Sequence, residues 1–279
     1  MKKLSWIVGL SVLGALIWAV MHLVGWRKPV EDTYSKHLSI LTYNTHRMGE
    51  FLNPDKNRVI LYLQRQNADI LCLQEVEVYK EDRYLTLREL REALHDYPYT
   101  YFDFSVYNKR RQFGNAVFSK YPLINKQTIR YRSRANISSQ CDIVVHGDTI
   151  RLITNHLESN RLENLDSTFI NKLDTARSIR REQAKVLRLA RKKSPYPLLM
   201  VGDFNDIALS YTYLIVKGWM RDAFLETNLG HLGNTYERRG LGIRIDYILT
   251  SRDLHPTECH VDRVNYSDHY PLIATVGWD

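Results

Sequence analysis

Several short apolar runs in this chain carry a carboxylate, an amide or an imidazole at or beside one end, and this recurrence is what most constrains the fold. HLSILTYN (37–44) ends on Asn44, ADILCLQE (68–75) on Glu75, and TIRLITNHLE (149–158) reaches His156. LLMVGDFN (198–205) delivers Asp203 and Asn205, IDYILTS (245–251) carries Asp246, and Asp268 and His269 directly precede YPLIATVGW (270–278). Their β-branched and apolar content, with turn formers between them, predicts strands, as it does for NAVFSKYP (115–122). A buried, unpaired charge is costly, so polar groups at such ends must be paired, hydrogen-bonded or bound to metal.

Helical spacing falls between these runs. Val59, Ile60 and Leu63 predict a helix over 54–67, with Pro54 placed to open it. TLRELREAL (86–94) repeats leucine at three- and four-residue intervals. In 175–193, Ile179, Ala184, Val186, Leu187 and Ala190 lie on one side and basic residues elsewhere. Strands mixed with helices argue for an α/β or α+β arrangement in which helices cover sheets. With no internal repeat, low-complexity tract or central linker, roughly 240 residues after the N-terminal segment read as one domain over 37–279.

The N-terminal segment is different in kind. Leu4–Trp26 holds no charge in 23 residues; as a helix it spans roughly 35 Å, enough for a hydrocarbon core of about 30 Å. Lys2, Lys3, Arg27 and Lys28 flank it, and Trp6 and Trp26 stand at interfacial positions. A cleaved secretory signal is the competing reading, but the run is long for one and lacks a clear cleavage site. The expectation is a single-pass membrane anchor over 1–28 with a short linker over 29–36, its orientation undetermined because the flanking charges balance.

That anchor takes four basic residues from the formal charge of +8, leaving 35 basic against 31 acidic residues in the domain. Such a balance is not by itself the footprint of a nucleic-acid binder. The clusters KRR (109–111), RYRSR (130–134) and the basic residues of Arg177–Lys193 read first as solvated faces. Cys72, Cys141 and Cys259 form no CxxC pair, and Cys72 sits in an apolar run as a small core residue.

Taken singly, the strand-end residues have ordinary explanations: a turn at Asn44, a solvated end at Glu75 and Glu77, an Asx turn in GDFND, a structural His156. Together they supply hard oxygen ligands, two imidazoles and orienting carboxylates. A cysteine-free set of this kind favours Mg²⁺ or Mn²⁺ over zinc and suits metal-assisted attack of water on a phosphate ester.

The ordered series YN, QE, GN, NH, GDFN, DY and SDH resembles the endonuclease/exonuclease/phosphatase superfamily, the DNase-I-like fold, from about Leu38 to Trp278. The resemblance implies a four-layer α/β sandwich, two packed β-sheets flanked by helices, here preceded by one N-terminal transmembrane helix. It also implies roles. Glu75 is the principal Mg²⁺ ligand, with Asn44 close to the metal and Asp268 a more solvent-side carboxylate able to make a second metal contact. Asp203 activates or orients water and Asn205 positions it. His156 contacts the phosphate, and His269, held by Asp246, stabilises the pentacoordinate phosphate or serves as general acid. Asn115 faces the phosphate, and Asp206 is a turn or capping residue.

The resemblance leaves the ester open: nucleic acid, nucleotide or phospholipid head group, with a phosphodiester favoured over a monoester. The aromatic stretch from Tyr97 to Tyr107 beside KRR reads as a strand packing its rings into the core in preference to a stacking platform. Residues 159–174 are the candidate specificity insertion. The competing class is a catalytically inactive, membrane-tethered scaffold; such a protein is expected to lack a key residue, and none is missing. No protein partner is inferred.

Overall fold

A computed structural model of the chain describes residues 2–29, 31–50, 57–81, 84–133, 135–160, 169–238 and 240–279, without the side chains of residues 2–10, 49, 50, 169, 170 and 238. In chain order its strands begin with β1 (Lys36–Asn44), β2 (Ile70–Tyr79), β3 (Tyr99–Tyr107), β4 (Arg111–Ser119) and β5 (Leu123–Arg130). They continue with β6 (Ile137–Val145), β7 (Asp148–His156), β8 (Leu198–Asp203), β9 (Arg221–Asp222) and β10 (Tyr236–Arg238). The last are β11 (Leu241–Ile243), β12 (Asp246–Thr250), β13 (His255–Val261) and β14 (Leu272–Trp278). The helices are α1 (Lys2–Leu23), α2 (Arg58–Gln64), α3 (Leu87–Ala93), α4 (Phe169–Lys192), α5 (Tyr211–Lys217) and α6 (Ala223–Thr227).

Two six-stranded sheets result, in the orders β13-β14-β1-β2-β4-β3 and β5-β6-β7-β8-β12-β9, with β10–β11 a separate ribbon. Each sheet is mixed, with one parallel pair near its middle: β1 with β2, and β7 with β8. Strands buried on both faces cannot alternate in polarity, which is why ILCL of β2 and LLMV of β8 read as continuous apolar runs. Ile40, Cys72, Cys141, Leu152, Val201 and Ala274 belong to the cluster between the sheets. A second cluster packs Leu41, Leu71 and Phe118 against Val59, Leu63 and Leu90 of α2 and α3. A third joins Ile153, Met200 and Leu249 to Ala184 and Leu187 of α4 and to Tyr213 and Val216 of α5. Three apolar layers separating helix, sheet, sheet and helix make the expected four-layer sandwich.

Local chemistry sets the helix starts. Thr86 and Glu89 form a reciprocal capping box on α3. Asn57 caps α2, its side chain accepting from the Ile60 N–H at 3.1 Å. The expected opening of that helix at Pro54 lies outside the described residues, as does the middle of the candidate insertion, 161–168 of 159–174. Among the aromatics, Tyr97 is buried and Tyr101, Phe102 and Phe104 pack against the apolar clusters, whereas Tyr99 and Tyr107 are exposed on the edge strand β3. The core reading therefore holds for Tyr97, Tyr101, Phe102 and Phe104 and fails for Tyr99 and Tyr107. All three cysteines are buried and free, and burial pushes the Cys72 thiol up to about 12.

The end of α1 is seated on the domain. The Gly25 N–H donates to the His231 carbonyl, the Trp26 N–H to that of Leu225, and Arg244 Nη2 to the His22 carbonyl at 3.3 Å. Among the described residues, no helix is long and apolar enough to cross a membrane. The transmembrane reading of α1 rests in part on side chains before Ser11, which lie outside the described residues.

Candidate active site

The two parallel strand pairs place their carboxyl ends side by side, the position where open α/β sheets gather ligands. In register, Asn44 lies opposite Gln74, His156 opposite Asp203, and Asp203 in turn opposite Asp246 of the antiparallel β12. Asp246 opens its strand instead of closing it, yet the antiparallel pairing brings it to the same sheet end. The strand β2 does not stop at Glu75 as the sequence suggests, but runs on to Tyr79. A register shift between Leu73 and Val76 interrupts its pairing with β4, and Glu75 sits there with φ +54°. Such a bulge re-aims one side chain while letting the ladder resume.

One chain of hydrogen bonds and ion-pair contacts joins most of the predicted residues. The Asn44 Nδ2 donates to Glu75 Oε1 at 3.2 Å and to Asp203 Oδ2 at 3.0 Å. Asp203 Oδ2 also accepts from Asn205 Nδ2 at 3.1 Å, while its Oδ1 accepts the Asn205 N–H at 2.7 Å. Asn205 adopts φ +50° and donates further to the Leu157 carbonyl, which fixes its amide over Asp203. His269 places Nδ1 2.8 Å from Asp246 Oδ2 and Nε2 3.8 Å from Asp203 Oδ2. His156 Nε2 lies 3.4 Å from Glu75 Oε1, yet neither of its ring nitrogens makes a hydrogen bond among the described residues although the side chain is buried.

The electrostatics follow from burial and mutual charge. Burial lifts the Asp203 carboxyl to about 6, against the opposing pull of His269. Burial alone would lower the His269 imidazole, but the carboxylates of Asp246 and Asp203 outweigh it and raise the group to about 10. At neutral pH this gives an imidazolium between two carboxylates, one of them poised near neutrality. Asp268 is held below the usual carboxylate range: its partial burial works the other way, but its bond with His46 and the charge of His269 prevail.

Two predicted residues stand apart from this chain. Asp268 is half in solvent, with Oδ1 3.2 Å from His46 Nδ1. Asn115 is fully buried and donates to the Ile137 carbonyl and to Ser139 Oγ, so its amide ties β4 to β6; its Oδ1 has no partner among the described residues. Asp206 accepts the Ile207 N–H, as a turn residue should, but its Oδ2 also lies 3.2 Å from Nε of the buried Arg180.

Several participants escape the sequence reading. Ser267 Oγ donates to the Asn44 carbonyl and accepts the His269 N–H, tying the SDH turn to β1. Thr235 Oγ1 accepts the N–H groups of both Ile245 and Asp246, and the Tyr236 ring stands edge-on to His269 at 4.9 Å. Hydroxyl residues in a loop carry no periodic signal; only their distance in space from β12 and His269 reveals them.

Two places fit a cation differently. Ligand atoms of Asp203, Asp246 and His269 lie within 4.8 Å of one another, but there the His269 proton already supplies the positive charge. Glu75 is the better donor for a hard ion. Its carboxylate is about a quarter exposed at 24%, and its contacts with Asn44 and His156 both fall on Oε1. The unpartnered nitrogens of the neighbouring His156 are what a bound phosphate oxygen would satisfy. Asn44, as placed, donates to Glu75, and its Oδ1 accepts the His46 N–H at 3.1 Å, so it orients the ligand as much as it resembles one.

The model of the Endonuclease/Exonuclease/phosphatase family matches residues 41–269. Among solved structures, an endonuclease/exonuclease/phosphatase from Beutenbergia cavernae is similar with a TM-score of 0.69 and 17% identity, over 87% of this chain and 72% of that one. Humanized D. rerio TDP2 follows with a TM-score of 0.62 and 18% identity over 86% and 99% of the two chains. Sphingomyelinase C from Streptomyces griseocarneus gives 0.58 and 17% over 88% and 100%. At these identities the likeness is one of fold. No curated protein sequence matches the chain.

Proposed function

The chain belongs to the endonuclease/exonuclease/phosphatase family, whose members are phosphoester hydrolases, and from that premise we propose that it is a divalent-metal-dependent phosphodiesterase. The observation that carries the reading is the chain Glu75–Asn44–Asp203–His269–Asp246, in which every link is 3.8 Å or shorter. Each member has a task that hydrolysis of a phosphate ester requires.

Asp203 is the group that takes a proton from the attacking water. Its Oδ2 is fixed by two amides and its affinity for a proton is raised by burial, which brings a general base towards its working pH. Asn205 orients the same water through the amide that Asp203 holds. His269 is kept protonated by Asp246, so its Nε2–H meets negative charge developing on the phosphate or on the leaving oxygen. Asp246 fixes the tautomer by holding Nδ1. His156 donates to a phosphate oxygen, which satisfies a ring otherwise buried without partners. Glu75, oriented by Asn44, would hold Mg²⁺ or Mn²⁺ with Asp268 on the solvent side. When bound, the ion would polarise the phosphoryl oxygen and offset charge on the leaving group.

The uncharged run Leu4–Trp26 supports a second proposal, that residues 1–28 anchor the domain to a membrane on a side the sequence does not fix. Mass spectrometry of the native protein tests it, because a mature N-terminus beyond Trp26 excludes the anchor.

The test of the catalytic reading is hydrolysis of bis(p-nitrophenyl) phosphate beside p-nitrophenyl phosphate, with Mg²⁺, with Mn²⁺ and with chelator. Metal-dependent release from the diester, lost in Asp203→Ala, supports the proposal. Folded protein that cleaves neither ester and binds no Mg²⁺ overturns it in favour of a scaffold.

A further inference from the structure

Beyond Glu75, β2 carries a second acidic residue, Glu77, whose carboxylate is 2% exposed although it sits near the mouth of the site. Arg111 Nη1 donates to its Oε2 at 2.8 Å, and the Tyr79 hydroxyl donates to Oε1. Arg47 Nε stands 3.9 Å from the same Oε2, an ion-pair distance too long for a hydrogen bond. The two guanidinium groups keep 40% and 50% of their side chains in solvent. A buried carboxylate thus aims two half-exposed cations.

Its place relative to the chemistry is set by register. Glu77 lies opposite Phe113 on β4, and the half-exposed Phe113 ring faces His156 edge-on at 6.5 Å. Glu77 lies two positions beyond Glu75, just past the bulge, where the pairing with β4 has resumed. The turn presenting Arg47 is strained: His46, Arg47 and Met48 are consecutive non-glycine residues with φ of +44°, +58° and +57°. Such residues are costly and persist only where the surroundings enforce them. The surroundings here include the Asn44 side chain, which accepts the His46 N–H, and Asn57, which donates to the Met48 carbonyl. Farther along the same edge, Lys109 and Arg110 lie exposed in the turn between β3 and β4, Arg111 opens β4, and Lys80 Nζ lies over the Tyr107 ring at 4.5 Å. Of the KRR cluster, Arg111 is bound to Glu77, whereas Lys109 and Arg110 are the solvated face that the sequence suggests.

Building on the phosphodiesterase reading, we infer that Arg47 and Arg111 form a subsite for a second phosphate of the substrate, one step along the chain from the scissile ester, with Phe113 between the two positions. Phosphates in series beside an aromatic ring describe a single-stranded nucleic acid. A lipid head group bearing one phosphate would leave this subsite unused. Glu77 is a positioning residue: it holds Arg111 in a fork that meets phosphate oxygens.

The experiment uses the full chain in detergent and two chromogenic diesters, the p-nitrophenyl ester of thymidine 5′-phosphate with and without a 3′-phosphate. The quantity read is the ratio of their kcat/KM values. Charge-assisted hydrogen bonds predict a preference of about tenfold or more for the doubly phosphorylated ester. In Arg47→Met/Arg111→Met that preference should collapse to near unity, and the salt dependence for a short oligonucleotide should become shallower by about one phosphate contact. Arg111→Lys, which keeps a cation beside Glu77, serves where the double variant does not fold; it should lose part of the preference. No preference in the wild type, or one unchanged in every folded variant, overturns the subsite. Failure to cleave either ester would instead overturn the phosphodiesterase reading.

Discussion

Replacing Asp203 by asparagine should separate catalysis from folding. The carboxyl is buried, and its rise from 3.8 to about 6 means that folding disfavours the ionised form by about 3 kcal/mol. The sign is fixed by linkage. Because the folded-state pKa is the higher, the penalty is absent at pH below 3.8 and grows to its full size as pH rises through about 6. Asparagine carries no charge and escapes that penalty. It also has one oxygen where aspartate has two, and Asp203 accepts from the Asn205 N–H on one oxygen and from the Asn44 and Asn205 amides on the other. One amide nitrogen must then face a donor, at a cost of about 1–3 kcal/mol. The two effects oppose, so Asp203→Asn should lie within about 2 kcal/mol of wild type at neutral pH, and any advantage should shrink towards pH 4. Turnover should fall by about 10²–10⁴-fold with loss of the general base. Urea unfolding in chelator, followed by diester hydrolysis in Mg²⁺, checks both halves. A variant more than about 3 kcal/mol less stable would make Asp203 structural, and one with wild-type turnover would remove it from the chemistry.

Asp246→Asn removes a charge that raises the His269 pKa, so the alkaline limb of the rate profile, set near 10 by His269, should move to lower pH; a limb that stays put refutes the pairing. Chelation should abolish hydrolysis, and Glu75→Gln should demand far more Mg²⁺ for half-maximal rate, as a titration of rate against metal would read. Phe204→Ala should destabilise by about 3–5 kcal/mol, because the ring is fully buried and packs 4.9 Å from Tyr247 directly behind the site; thermal or urea unfolding measures it.

How much of this was visible in the chain depends on which signal a residue leaves. β2 and β8 carry the continuous apolar runs ILCL and LLMV, β1 and β7 are apolar with interspersed polar residues, and a polar residue at the end of such a strand stands out; Asn44, His156 and Asp203 were legible for that reason. Edge strands leave less. The exposed middle of β5, INKQ, has no apolar stripe, and β13 likewise carries charged and polar residues on an edge; the interior β6, ISSQCDIVV, hides behind its polar first half, which is buried between β5 and β7. Asp246 was found, but its partnership with Asp203 is a cross-strand register that no local pattern encodes. Ser267, Thr235 and Tyr236 work through loop contacts with residues up to 223 positions away in the chain, and a single sequence holds no trace of such pairs.

Backbone strain is the other thing the letters hide, and it explains why the site is where it is. Glu75, Asn205 and the turn His46–Met48 are five of the seven non-glycine residues with positive φ among those described. Asparagine and histidine tolerate that region better than most residues, but glutamate, arginine and methionine gain nothing from it. Glycine would relieve the strain at each of these three and would delete the side chain: the carboxylate of Glu75, the guanidinium of Arg47 and the core packing of Met48. At Glu75 the left-handed residue coincides with the break in pairing against β4, so the same distortion that costs ladder contacts turns the carboxylate towards Asn44 and His156. At Asn205 it folds the amide back over Asp203. A fold selected for stability alone would place glycine at such positions. Their gathering around Asn44, which bonds Glu75, Asp203 and the His46 N–H, is what the proposed binding role would require, with the double sheet beneath supplying the stability that holds them.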